Sequence, residues 1–151
     1  MTYSKSFQIR WSEIDVNWHM RNTAFAELGT TTRVSFLSDN GFPPDAFQAQ
    51  GFGPVVLREE TQYRHEVRLG MTVTFTLEMS GVSLDGSHFE MHHDVLLEDG
   101  RRSALLRVEG SWLDLASRKL RVPPPALLQA LLSLHKTDDF RELRSLIRRK
   151  T

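Results

Sequence analysis

Four stretches from residue 55 onward follow the two-residue period of a pleated strand, and they succeed one another too closely for helices to intervene. They are residues 55–64, 72–82, 88–97 and 102–115. Leu84-Asp85-Gly86-Ser87 and Glu98-Asp99-Gly100 separate the last three with hairpin chemistry. The cleanest alternation lies at residues 72–79. Val73, Phe75, Leu77 and Met79 face one way and Thr72, Thr74, Thr76 and Glu78 the other, so one face meets a helix or a core. Residues 5–11 alternate likewise, Phe7, Ile9 and Trp11 against Ser6, Gln8 and Arg10, which predicts an initial half-buried strand.

Between these strands, Phe25, Leu28, Thr32 and Phe36 recur at helical spacing over residues 23–37, and Asp39-Asn40-Gly41 supplies the stop. Gly29 and Thr30 to Thr32 lower the helix propensity of this segment, so packing must hold it. Gly29 either lets a strand backbone approach closely or breaks the helix. Residues 42–53, with Pro43, Pro44 and three phenylalanines, predict a loop with one short helical turn that can cover a pocket. Three prolines at 123–125 end the sheet, and an apolar helix follows at 126–134. A second, charged helix is expected at 137–150. Leu143, Leu146 and Ile147 would form its apolar stripe, and Arg141, Arg144, Arg148, Arg149 and Lys150 make it basic.

A length of 151 residues fits one α+β domain spanning 1–151, with the C-terminal helices at about 124–150. Lys plus Arg and Asp plus Glu both number 19, so no net field recruits nucleic acid. Cysteine is absent, which excludes disulfides, zinc thiolate clusters and a cysteine nucleophile. There is no 18-residue apolar run and no signal-like start. The expectation is a soluble cytoplasmic protein without a membrane or nucleic-acid partner.

Chemistry concentrates where the first strand hands over to the long helix. Asp15, Asn17, His19 and Asn22 fall within eight residues, just before the helical pattern begins. A helix starting here aims unsatisfied N–H groups and its positive dipole end toward whatever Asp15 holds, an arrangement suited to a developing oxyanion. The same residue types are ordinary helix caps. Asn22 as N-cap would contribute about 0.5–2 kcal/mol without any catalysis, and His19 could simply sit in the turn.

The run DVNWHMRNTAF, from Asp15 to Phe25, resembles the motif Asp-x-x-Gly-His-x-Asn-Asn plus aromatic of the hotdog-fold thioesterases, the 4-hydroxybenzoyl-CoA thioesterase-like and acyl-ACP thioesterase-like families. Asp15, His19 and Asn22 match; Trp18 stands where the family prefers glycine, and Arg21 also departs. The resemblance extends more loosely over residues 5–128. It implies a hotdog fold, a curved antiparallel sheet wrapped around one long helix. It also implies a homodimer with the active site at its interface; whether dimers pair into tetramers stays open. The implied activity is hydrolysis of an acyl-CoA or acyl-ACP thioester, with coenzyme A as part of the substrate and no cofactor. Asp15 would be nucleophile or general base, Asn22, or else Asn17, would orient water or carboxylate, and His19 would donate to the carbonyl or fix the turn.

Trp18, Phe25, Phe42 and Phe52 are expected to line an apolar acyl pocket, although Trp18 could instead narrow or block it and leave a noncatalytic acyl-binding protein. The hairpin at 84–88 lacks the basic cluster that some family members use on coenzyme A phosphates. Arg64 and Arg68, or Arg101 and Arg102, are the replacement candidates. Glu27 is the one carboxylate on the predicted helix and a rival base. His88, His92, His93 and Asp94 gather on one strand, but positions two apart stand about 7 Å from each other, so no metal site is expected.

Overall fold

The computed structural model describes residues 2–147. The chain runs β1 (Tyr3–Gln8), a single 3-10 turn (Trp11–Glu13), α1 (Asn22–Asp39), α2 (Pro44–Gln50), β2 (Phe52–Tyr63), β3 (Thr72–Ser83), β4 (Phe89–Leu96), β5 (Arg102–Asp114), β6 (Leu120–Arg121), α3 (Pro125–Ser133) and β7 (Lys136–Leu143). Seven strands form one curved sheet in the order β1-β3-β4-β5-β2, with β6 added to β5 and β7 to β3. All pairings are antiparallel except β3 with β7. This is the α+β hotdog architecture that the motif implied.

The period-two face of β3 points inward, with Val73, Phe75, Leu77 and Met79 all buried. Against it lies α1, burying Ala24, Phe25, Gly29, Thr32, Arg33, Phe36 and Leu37, the three-and-four spacing of one helix face. The helix runs unbroken through Gly29. A Cβ there would stand 3.2 Å from Leu106 Cδ2 and 3.7 Å from His93 Cδ2. The missing side chain therefore makes room for side chains of β5 and β4, not for a strand backbone.

Midway along α1 the packing turns polar. Arg33, only 7% exposed, reaches His93 Nε2 at 3.0 Å, donates to Thr30 Oγ1 at 3.1 Å and lies 3.9 Å from Glu59. His93 Nδ1 is 2.7 Å from the Thr76 carbonyl, which can only accept. Nδ1 therefore carries the hydrogen, and Nε2 accepts from the guanidinium, so the imidazole is neutral. Burial, then the Arg33 charge, push His93 from its ordinary 6.5 down to about 3. Apolar clusters lie at both ends of the helix, one around Phe36 and Trp112, the other around Phe25 and Phe75.

The expected second C-terminal helix is not there. Residues 136–143 form β7 instead, and Arg148, Arg149 and Lys150 lie outside the described residues. Strand β1 covers the edge of β3 only as far as Leu77, leaving unpaired backbone beyond it. β7 fills that edge from Met79 to Ser83, and Gly81 leaves space for Leu143, which a Cβ would meet at 2.9 Å. Arg107–Asp139 at 2.5 Å and Arg141–Glu90 at 3.6 Å tie its charges across the sheet. Arg141 and Asp139 are thus cross-strand partners. Among the described residues, no helix is long and apolar enough to cross a membrane.

At the other end of the sheet, β2 pairs with β5 alone. Its Val56, Leu57 and Tyr63 are exposed, so a long strand offers a free edge. Phe25 packs on Tyr63, and Arg33 approaches Glu59, so β2 runs antiparallel to α1.

The neutral core imidazole gives a pH signature. An unfolded histidine takes up its proton near pH 6.5, whereas folded His93 refuses it until about pH 3. The stability from this group is complete above 6.5 and is lost progressively as pH falls from 6.5 toward 3. Imidazole NMR at pH 5 is expected to find His93 neutral with hydrogen on Nδ1, and the urea midpoint is expected to be lower at pH 5 than at pH 7.5. A charged His93 at pH 5 would contradict this.

Candidate active site

After β1 the chain doubles back on itself. Ile14 bridges to Met20 and His19 to Arg68, and the ends of the loop are pinned by Met20 N to the Val67 carbonyl (2.7 Å) and Arg21 N to the Glu13 carbonyl (2.7 Å). Glu13 is itself buried, and its carboxylate accepts from the Arg10 amide at 2.8 Å. Inside this frame, Asp15 Oδ1 accepts from the amides of Asn17 (2.8 Å) and His19 (3.3 Å). Asp15 Oδ2 has no partner among the described residues. One oxygen orients the carboxylate and the other is unengaged.

The turn requires a left-handed residue, and that residue is Trp18, with φ at 65°. The resembling motif has glycine here because glycine adopts this conformation without steric cost. Trp18 keeps the turn and bears the strain. Its ring packs edge to face on Trp11, with centroids 5.2 Å apart, and is 59% exposed, so it lies beside Asp15 without covering it.

The helix start differs from expectation in one detail. Arg21, not Asn22, is the N-cap, with φ −69° and ψ 150°, and no side chain caps it. Asn22 is the first helical residue. Its amide and that of Thr23 meet no acceptor among the described residues, while Ala24 N returns to the Arg21 carbonyl. An uncapped start leaves two donors and the positive dipole end available.

Asp15 and Asn22 share a groove of about 350 Å³ with His19, Phe25, Tyr63 and Glu66. His19 Nε2 lies 2.7 Å from Glu66 Oε2 and so braces the groove wall. The Arg68 hydrogen bond, followed by the charges of His19 and Arg68, holds the Glu66 carboxyl below the usual range. Asn17 is exposed and contributes its backbone amide to the turn. Glu27, the rival base, lies 3.3 Å from Arg21 in an ion pair. Tyr63, His65 and Glu66 were not singled out in the sequence. They stand more than forty residues from Asp15, and only the pairing of strands brings them to it.

The four expected apolar residues do not line one pocket. Phe25 borders the groove and Trp18 a separate depression with Trp11 and Val16. Phe42 and Phe52 line a third cavity of about 420 Å³ at the opposite end of α1, where α2 packs on β2. Of the two arginine pairs, Arg64 and Arg68 stay together and Arg101 parts from Arg102. Arg64, Arg68 and Arg101 meet in one basic groove with His65, whereas Arg102 pairs with Asp94 at 2.8 Å elsewhere on the sheet. Arg68 and Arg101 already hold Glu66 (2.9 Å) and Asp99 (2.7 Å). Arg64 has no acidic partner among the described residues. His92 bonds Asp94 at 3.0 Å and His88 bonds Glu109 at 3.3 Å, and no trio among the described residues is arranged to hold a metal ion.

Trp18 allows a direct test of the turn. Alanine there keeps a Cβ at positive φ and loses the ring contact, whereas glycine loses the ring contact but relieves about 1–2 kcal/mol of strain. Trp18→Gly is therefore expected to be more stable than Trp18→Ala by about 1 kcal/mol in urea melts, against the usual order in which glycine is the less stable of the two. Equal stability would contradict the left-handed turn.

Comparison with known proteins bears on the family and the fold. The model of the thioesterase-like superfamily matches residues 9–131. No curated protein matches the sequence. Among solved structures, a Staphylococcus aureus protein in complex with CoA aligns with a TM-score of 0.81 at 18% identity, over 87% of this chain and 82% of that one. A 1,4-dihydroxy-2-naphthoyl-CoA thioesterase from Synechocystis gives 0.80 at 15% identity, over 89% and 98%. An oleoyl thioesterase (putative) from Lactobacillus plantarum gives 0.83 at 15% identity, over 99% of this chain and only 55% of that one. With a family model covering the turn, the helix and most of the sheet, the chain belongs to the thioesterase-like superfamily.

Proposed function

We propose that this protein hydrolyses acyl thioesters, with acyl-CoA favoured over acyl-ACP, through the carboxylate of Asp15. The observation that carries the reading is the division of labour on that side chain. Oδ1 is fixed by two backbone amides, Oδ2 is unengaged, and the uncapped start of α1 borders the same groove.

A thioester carbonyl in the groove would lie with its oxygen toward the Asn22 and Thr23 amides. Attack by Asp15 Oδ2 forms a tetrahedral centre whose negative oxygen those amides stabilise, and its collapse breaks the C–S bond and expels the thiolate. Water then cleaves the acyl-aspartyl anhydride. In the alternative, Asp15 takes a proton from a water that attacks the same carbon. The Asn22 side chain, exposed on the groove, would orient that water, and the His19–Glu66 pair would hold the wall against which the substrate arm lies. Asp15 and Trp18 are both exposed, so the indole does not wall off the carboxylate, which supports catalysis over a merely acyl-binding role.

Coenzyme A suits the adjoining basic groove, where Arg64 has a guanidinium free to pair with phosphate and Arg68 and Arg101 add positive charge. No separate cofactor is needed for this chemistry. The free edge of β2 supports a homodimer formed by two-fold pairing of these strands. A cytoplasmic setting, where acyl-CoA is drawn on, fits the same reading.

Replacing Asp15 by asparagine preserves the shape of the turn and removes both base and nucleophile. With an acyl-CoA panel and thiol release as the readout, Asp15→Asn is expected to lower kcat about 10²- to 10⁴-fold with an unchanged circular dichroism spectrum. Equal turnover in wild type and variant would overturn the assignment.

A further inference from the structure

His88 stands immediately before β4, and each of its ring nitrogens meets a group that can only accept. Nδ1 is 3.0 Å from the carbonyl of Arg144, just past the end of β7, and Nε2 is 3.3 Å from the Glu109 carboxylate on β5. A neutral imidazole carries one hydrogen and can donate to one of them. Both contacts together require the imidazolium. Ser83 fixes the backbone of His88 from two sides, its amide donating to the His88 carbonyl at 2.8 Å and its hydroxyl accepting from the His88 amide at 3.0 Å. The ring therefore bridges β5 and the segment after β7 from a fixed point, and at 16% exposure a proton reaches it without the fold opening.

We propose that His88 is a proton-operated latch, holding residues 144–147 on the sheet when charged and releasing them when neutral. This inference stands apart from the thioester reading. As pH rises the ring gives up one of its two hydrogens. The carboxylate of Glu109 is the stronger acceptor, so the remaining hydrogen stays on Nε2. Nδ1 then turns a lone pair toward the Arg144 carbonyl oxygen, and attraction becomes repulsion.

The other ties of this segment do not titrate near neutral pH. Leu143 is buried over Gly81, the Leu146 amide donates to Ser87 Oγ at 3.0 Å, and the Ser145 hydroxyl donates to Asp85. Asp85, although partly buried, is held down to about 2 by hydrogen bonds from Ser145 and Ser87, so it stays ionised. Around the ring, Glu109 also lies 3.9 Å from Arg58 of β2, and Glu90, opposite Glu109 in the β4–β5 register, is held by Arg107 and Arg141. Carboxylates and guanidiniums keep their charges between about pH 6 and 8.5. His92, two positions beyond Glu90, is bonded to Asp94. The buried His93 adds stability as pH rises, so it has the wrong sign to imitate a loosening.

The test uses the full-length protein. Imidazole NMR at pH 6 is expected to find hydrogen on both nitrogens of His88. Tryptic cleavage after Arg144 is then timed at pH 6 and 8.5 against an isotope-labelled free peptide of residues 136–151 in the same tube, which cancels the protease's own response to pH. Relative cleavage of the wild type is expected to rise about tenfold, the effect of losing one charge-assisted hydrogen bond, with a midpoint matching the NMR titration of His88. His88→Gln keeps a donor that does not titrate, and its relative cleavage is expected to be the same at both values. Glu109→Gln keeps the histidine without its ionic acceptor and is expected to open at lower pH than the wild type. A single hydrogen on His88 at pH 6, flat relative cleavage in the wild type, or an equal rise in His88→Gln would each overturn the latch.

Discussion

Two backbone hydrogen bonds to one carboxylate oxygen organise the functional end of this molecule. By accepting from the amides of Asn17 and His19, Asp15 Oδ1 closes a turn that would otherwise be a floppy polar loop. Two amides on one oxygen restrict the side chain to one orientation. The same turn returns the chain through Met20 to Val67 and sets the point at which α1 begins. The location of the carboxylate and the direction of the helix are consequences of one closed loop, and the strained Trp18 is its local cost.

The rest of the fold keeps that loop still. Apolar clusters at either end of α1 bind it to the sheet, and the Arg33–His93 contact between them fixes how the helix sits along its length. A neutral imidazole with both nitrogens occupied favours this register, because a shift along α1 would part the buried guanidinium from His93 Nε2. Where α1 starts, relative to the groove that Tyr63, Arg64 and Glu66 help to form, therefore depends on packing well away from it.

Much of this was legible in the sequence. Period-two alternation located the five main strands, because one face of each is buried and the pleat repeats every second residue. Asp15, Asn22 and Phe25 could be grouped because they are close in sequence, and they border one groove. What could not be read depends on contacts between distant residues. β7 looked helical because its charges have no visible partners until Glu90 and Arg107 are brought beside them by the sheet. His19 finds Glu66, and Arg64 finds Arg101, only after β2 and β5 pair. The capping role given to Asn22 was displaced by one residue, since a side chain that can cap does not announce whether the helix starts at it or after it. Phe42 and Phe52 were grouped with Trp18 on apolarity alone, and the length of α1 separates them.

The most direct test of the central claim is a crystal structure with an acyl-CoA analogue in which a methylene replaces the thioester sulfur. The account predicts its carbonyl oxygen about 2.7–3.1 Å from the amide of Asn22 or Thr23. The carbonyl carbon should lie about 3–3.5 Å from the free oxygen of Asp15. A carbonyl bound elsewhere, with those amides hydrated and Asp15 facing bulk water, would contradict it.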